Sequence, residues 1–220
     1  MAESSNAFIL GSGGPKLIIV MGVSGCGKST TAQTLARALT GSFYDGDDLH
    51  PQSNIDKMSR GEPLTDADRA PWLKIIRERG TEIATRPDGN GVAVIACSAL
   101  RRAYRELLRG KPVNLVTPDS DSAVAHPKDD AQIGGKAEEF IANTTPALKT
   151  YFVFIKGPKE VILDRMQKRQ GHFMKASMLE SQLATLESPE GEDGVVVVDL
   201  EALPEKQCEQ AIEGLKAFGA

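Results

Sequence analysis

The segment LIIVMGVSGCGKST constrains this chain most, because an unbroken apolar run ends there in a glycine-rich turn carrying Lys and Ser. A run such as residues 17–21, with no polar alternation, suits a strand buried on both faces of a parallel sheet. The turn meets the pattern GxxxxGK[ST] at Gly22, Gly27, Lys28 and Ser29, with Gly25 between them. Glycines let consecutive N–H groups curl inward around phosphate oxygens, and the next helix adds its positive N-terminal end. Residues 29–39 carry Ala32, Leu35, Ala36 and Leu39 at helical spacing, and Gly41 is placed to end that helix. Gly22, Val23, Ser24, Gly25, Cys26, Gly27, Lys28, Ser29 and Thr30 are therefore expected to cradle a nucleoside triphosphate. Lys28 would reach the β- and γ-phosphates, and the Ser29 hydroxyl would ligate Mg²⁺.

The remaining pattern alternates strands with helices. Strands are predicted at 42–44, 92–97, 112–116, 151–155 and 195–198, and helices at 53–58, 66–85, 100–108, 159–169 and 205–218. Thr65 with Asp68 three residues later resembles a capping box opening the 66–85 helix. Such alternation predicts an α/β fold of three layers, α/β/α, around a mostly parallel central sheet. A length of 220 residues suits one domain, placed at 16–220 behind a flexible lead-in at 1–15. Residues 117–150 break the rhythm with Pro118, Pro127 and Pro146, and are expected to form an excursion rather than a second domain.

Charge and composition narrow the function classes. A net charge of −4 without a long basic run argues against a general nucleic-acid or anionic-membrane binder. The chain has no apolar stretch near the roughly 18 residues a membrane span needs, and its N-terminus lacks a signal peptide's basic region. A cytoplasmic location is expected. Cys26, Cys97 and Cys208 show no metal-binding spacing and read as free thiols, and no two histidines sit at ligand spacing.

Residues 43–51, FYDGDDLHP, place Asp45, Asp47 and Asp48 at the carboxyl end of a strand, where open α/β sheets put their sites. A kinase acting on an alcohol needs a carboxylate to accept the hydroxyl proton and acidic help in holding Mg²⁺. Phosphates and an acidic acceptor both call for cations. Arg101 and Arg105, i,i+4 after a buried strand with Ser98 at its carboxyl edge, are candidates for gripping a carboxylate. Arg69 is another, although the neighbouring aspartates compete for it. Trp72 starts an apolar face and reads as core. Arg165 and Arg169 lead into QGHFM, a helix end entering a short segment of lid character, where they would offset charge on a transferred phosphoryl group. On the residues alone, the acceptor stays open between a small alcohol and a nucleotide. A regulatory nucleotide switch is a further alternative, against which the lack of an NKxD segment counts.

Taken in order, MGVSGCGKST, FYDGDDLHPQSNIDKMSRGEPLTDADRAPWL, ACSALRRAYRELLR and RQGHFMKASMLESQLATLE resemble the gluconokinase family of small P-loop kinases, relatives of shikimate kinase and the nucleoside monophosphate kinases. The likeness runs over about 16–203 apart from the excursion, which is longer than that family leads one to expect. It implies a P-loop kinase fold with a lid around 165–185, ATP and Mg²⁺, D-gluconate phosphorylated at its 6-hydroxyl, and a homodimer. By position it makes Asp47 the proton acceptor and Asp45 an organiser of Mg²⁺ through water. Lys28, Arg165 and Arg169 are the candidates for phosphoryl transfer. The resemblance favours Arg101 and Arg105 on the acceptor side, where Arg69, Ser98, His50 and His172 are further candidates, His50 otherwise being a turn residue before Pro51 and His172 a helix-end residue on the dipole. Shikimate-like or nucleotide acceptors are the alternatives within the same fold.

Overall fold

The computed structural model describes residues 10, 13–113, 115, 147–168 and 176–220. The expected excursion at 117–150 thus falls almost wholly outside the described residues, as do Arg169, His172 and the lead-in at 1–9.

Five parallel strands, β1 (Lys16–Met21), β2 (Ser42–Asp45), β3 (Val92–Ala96), β4 (Lys149–Lys156) and β5 (Val195–Asp199), form one sheet in the order β2-β3-β1-β4-β5. Helices α1 (Lys28–Ala38), α2 (Gln52–Ser59), α3 (Asp66–Ala84), α4 (Arg102–Leu108), α5 (Lys159–Lys168), α6 (Ala176–Thr185) and α7 (Pro204–Ala217) surround it. Side-chain alternation divides the core between the two faces of the sheet. Ile18 and Val20 of β1, Val94 of β3, Val153 of β4 and Val196 of β5 pack against Leu35 of α1 and Ile212 of α7. Leu17, Ile19 and Met21 face the other way, against Leu73 and Ile76 of α3 and Leu108 of α4, with Phe152 alongside. Every residue of β1 is buried, as a central strand between helical layers requires. The expected three-layer α/β/α fold is what the chain forms.

Two expectations need correction. No strand forms among the described residues of 112–116. Pro112 has no N–H to offer a ladder. Leu115 and Val113 satisfy their apolar character by packing against the α3–α4 side of the core instead. The helix expected from residue 100 starts at Arg102, because Ala99 takes a left-handed φ of 44° and Arg101 stays extended at φ −97°, ψ 149°. Helix α6, which carries no strong start signal, lay inside the expected lid region.

The capping box forms as predicted. Thr65 Oγ1 accepts the Asp68 N–H at 3.3 Å, while Asp68 Oδ2 accepts the Thr65 N–H at 2.7 Å and pairs with Lys57 at 2.6 Å. These contacts, that of Lys57 foremost, hold the Asp68 carboxyl down at about 2. Thr65→Ala should cost about 1 kcal/mol, read as a lower urea midpoint with an unchanged slope.

Candidate active site

Loops at the carboxyl ends of β1, β2 and β3 build the site. The first is the phosphate loop. Gly22, Gly25 and Gly27 take φ of 143°, 82° and 96°, values that a side chain would strain. Gly25 also lies so close to Met166 of α5 that a Cβ would overlap its side chain. Gly27 caps α1, so the N-terminal end of that helix opens into the loop. Cys26 is wholly buried, and burial raises its thiol pKa, so the sulfur is packing material. Lys28 Nζ folds across the loop onto Val23 O at 3.0 Å.

β2 delivers the carboxylates. Ser29 Oγ donates to Asp45 Oδ2 at 2.6 Å, and Asp45 Oδ1 accepts the Asp47 N–H at 3.1 Å, capping a 3₁₀ turn at Gly46–Leu49. A Cβ on Gly46 would overlap Ala96 O, so only glycine lets this turn lie against β3. Trp72 of α3 donates its indole N–H to Gly46 O at 2.7 Å, fixing the turn from beneath. Ser24, Gly25, Gly27, Lys28, Ser29, Thr30, Asp45, Asp47, Arg165 and Met166 line a single cleft of about 360 Å³. Asp47 keeps accessible surface because it faces this cleft. Desolvation raises its carboxyl pKa, Asp45 and Asp48 add repulsion, and Lys28 opposes them without cancelling the rise.

The residues fit Mg²⁺ of the kind that arrives with a nucleotide. A hydroxyl and a carboxylate converge at 2.6 Å, both hard oxygen donors, and no cluster of three or more His, Cys, Asp or Glu exists among the described residues to form an all-protein cage. Arg165 of α5 donates to Leu200 O at 3.0 Å and reaches the same cleft.

Beside this cleft lies a second group of predicted residues. His50 stacks on Trp72, centroids 4.1 Å apart and 13° from parallel. Asn54 Nδ2, which can only donate, sits 3.3 Å from His50 Nδ1, so the ring proton belongs on Nε2. Burial, with the nearby Arg69 cation, lowers the His50 pKa to about 4, leaving a neutral imidazole at physiological pH. Arg69 donates to Leu64 O and lies 5.9 Å from the Tyr104 ring centroid. Arg101 and Tyr104 both hold Asp66. Ser98, half-buried, follows β3 directly.

Arg105 does not belong with these. Its side chain is 0% exposed, and Nη2 and Nε fork onto Glu192 Oε1 and Oε2 at 2.6 and 3.0 Å. Nη1 donates to Ala99 O at 3.0 Å and Leu100 O at 3.1 Å. The i,i+4 reading failed because Arg101 precedes the helix while Arg105 points into the protein. Arg105 therefore grips a carboxylate of this chain, not one of a ligand. A wider cleft of about 820 Å³ opens at the opposite, amino edge of the sheet, beside Lys149, Tyr151 and Gly194. Its Arg105 and Arg109 are already paired with Glu192, and no residue of the phosphate loop lines it.

Sequence reading missed Asn54, Asp66, Gln182, Glu187 and Glu192. Asp66, Gln182, Glu187 and Glu192 act through partners distant in sequence, which spacing does not reveal, whereas Asn54 meets His50 only four residues away. Trp72 is core as expected, yet it also carries the indole bond to Gly46 O.

No family model matches the chain. Individual relatives do. A gluconokinase of Gluconobacter oxydans is 41% identical over 203 residues, covering 92% of this chain and 93% of its own. The thermosensitive gluconokinase of Escherichia coli is 35% identical over 203 residues, covering 90% and 88%. The crystal structure of a gluconokinase from Sinorhizobium meliloti superposes with a TM-score of 0.68 at 38% identity, over 93% of this chain and 94% of that one. With near full-length identity at this level, and with the phosphate loop, Asp45 and Asp47 facing one cleft, the chain belongs to the gluconokinase family.

Proposed function

We propose that this protein transfers the γ-phosphoryl group of ATP to the 6-hydroxyl of D-gluconate, giving 6-phosphogluconate and ADP. The observation that carries this reading is the shared cleft of Lys28 and Asp47 in a chain of this family. N–H groups of the phosphate loop and the N-terminal end of α1 hold the triphosphate, and Lys28 swings from Val23 O onto the β- and γ-phosphates. Ser29 and Asp45 would hold the Mg²⁺ that comes with ATP, and that ion would supply charge neutralisation on the phosphates. Asp47 accepts the acceptor's hydroxyl proton, and its raised pKa makes it a better base than an ordinary aspartate. Arg165, with Arg169 by resemblance, offsets charge developing on the phosphoryl oxygens. His50, Arg69, Ser98 and Arg101 form the acceptor side, where Arg101 and Arg69 provide cations for the gluconate carboxylate and His50 presents a neutral Nε2–H to a hydroxyl. His172 joins them by resemblance. Arg105 is not carried forward. The family resemblance also supports a homodimer and a cytoplasmic location; among the described residues, no helix is long and apolar enough to cross a membrane.

ADP release measured over a panel of sugar acids, polyols, shikimate and nucleoside monophosphates tests this reading. Gluconate should give the highest kcat/KM. A higher value for shikimate or a nucleotide would replace gluconate as the acceptor, and tight nucleotide binding without any acceptor turnover would favour a regulatory switch.

The pH profile follows from Asp47. Its proton must be absent for catalysis, so the acid limb of kcat/KM should fall above the ordinary aspartate value of 3.8. His50, neutral above about 4, should add no step between pH 5 and 8. An acid limb at or below 3.8 would remove Asp47 as the base.

A further inference from the structure

The motif ESQLATLE on and after α6 has no part in the reaction as described, yet it touches both halves of the site. Gln182 Oε1 accepts the Ser24 N–H of the phosphate loop at 2.7 Å, across 158 positions of sequence. Five residues later, the Glu187 N–H donates to Leu100 O at 2.9 Å. Glu187 Oε2 accepts the Arg102 N–H at 2.6 Å, and its Oε1 lies 3.6 Å from Arg101 Nε. Helix α4 has no side-chain cap of its own, since Arg101 occupies the N-cap position, so Glu187 caps it from another element. Arg101 is thereby held between Asp66 of α3 and Glu187.

The element that carries the two contacts is packed on the core. Leu179 is fully buried, and Leu183 and Leu186 pack on the core, Leu186 against both of its halves. The loops it joins follow adjacent strands, β1 and β3. A packed element therefore connects Ser24 of the phosphate loop to the loop that carries Ser98 and Arg101. The Ala99 φ of 44° shows that this loop is kept in a costly conformation by its surroundings.

We propose that Gln182 and Glu187 are positioning residues that couple the phosphate loop to the acceptor-side loop at residues 98–102, so that nucleotide binding orders the grip on the acceptor. Neither residue touches the reacting atoms. The acceptor's role in this rests on the gluconate reading, but the coupling itself can be measured without any acceptor. Amide hydrogen exchange is followed in full-length protein with and without Mg²⁺ and a non-hydrolysable ATP analogue. In the wild type, the analogue should slow exchange both in residues 22–31 and in residues 98–109. In Gln182→Ala, residues 22–31 should still be protected while protection of 98–109 falls by about 10-fold or more, the range of a typical coupling energy. Glu187→Ala should behave likewise, and Glu187→Gln, which keeps an acceptor oxygen for the Arg102 N–H, should restore the effect. In steady-state assays, Gln182→Ala should raise KM for gluconate severalfold with KM for ATP within about twofold.

Thermal melting identifies a variant that merely loses its fold, because protection would then drop in both segments. The proposal is overturned if Gln182→Ala transmits protection to 98–109 as the wild type does, or if the wild type transmits none. Lack of gluconate turnover by the wild type would instead overturn the acceptor assignment and leave the exchange result standing.

Discussion

Asp47→Asn is expected to lower kcat for gluconate phosphorylation by about 10²- to 10⁴-fold, the range for loss of a positioned general base. Asn keeps the shape of the side chain and the cap on the 3₁₀ turn, which depends on the Asp45 side chain and the Asp47 backbone. ATP affinity should therefore change little. The same substitution should raise the melting temperature. Desolvation at the cleft wall, with repulsion from Asp45 and Asp48, pushes the Asp47 pKa up against the opposing Lys28, so the folded protein binds a proton at this group more tightly than the unfolded chain does. Stability from this group is greatest when it is protonated and is lost as pH rises through the folded pKa, so at neutral pH the ionised carboxylate is a cost that Asn removes. A variant that is both more stable and nearly inactive is the signature of a strained functional group. Near-normal kcat, assayed with saturating ATP and gluconate, would put the base elsewhere.

Arg105→Ala is expected to destabilise the protein by about 3 kcal/mol, because it removes a buried two-pronged pair, leaves Glu192 with Arg109 alone, and strands the Ala99 carbonyl in the interior. For a chain of this size, that corresponds to a fall in melting temperature of roughly 10 °C. Lysine should not rescue it, since one ammonium cannot reproduce the two-pronged contact with Glu192 and two carbonyl bonds. The contribution depends on pH. Burial pushes the Glu192 carboxyl upward, but Arg105 and Arg109 outweigh it and hold the pKa below the ordinary 4.5. The stabilisation is thus present at neutral pH and fades as pH falls through that depressed value. Thermal melts at pH 7 and pH 3 should show a smaller gap between wild type and variant at the lower pH. A stable Arg105→Ala protein with only a raised KM for gluconate would instead mean that Arg105 binds the acceptor.

What could be read in the sequence follows from range. The phosphate loop, the capping box at Thr65 and Asp68, and the five strands of the sheet are local patterns, and the chain forms them within a residue or two. The apolar run at 112–116 was misread because apolar residues serve a strand and a segment packed on the core alike, and Pro112 cannot donate to a ladder. Arg101 and Arg105 show the same limit at the level of a site. Helical spacing put them on one face, but the left-handed Ala99 delays the helix and sends one arginine to Asp66 and the other to Glu192. Trp72 was legible as core from its apolar neighbours, whereas its bond to Gly46 O and its stack on His50 depend on how α3 crosses beneath the 3₁₀ turn. Partners such as Gln182 and Glu192 lie more than 80 residues from the groups they hold, beyond any periodic signal.

The central claim is that the cleft shared by Lys28 and Asp47 directs the γ-phosphoryl group of ATP onto one hydroxyl of gluconate. Phosphorus NMR of the product formed from ATP, Mg²⁺ and gluconate tests it most directly. A single phosphomonoester resonance, coupled to the two C6 methylene protons and accumulating in step with ADP, is the predicted result. Inorganic phosphate alone, or a phosphoester on a secondary hydroxyl, would contradict it.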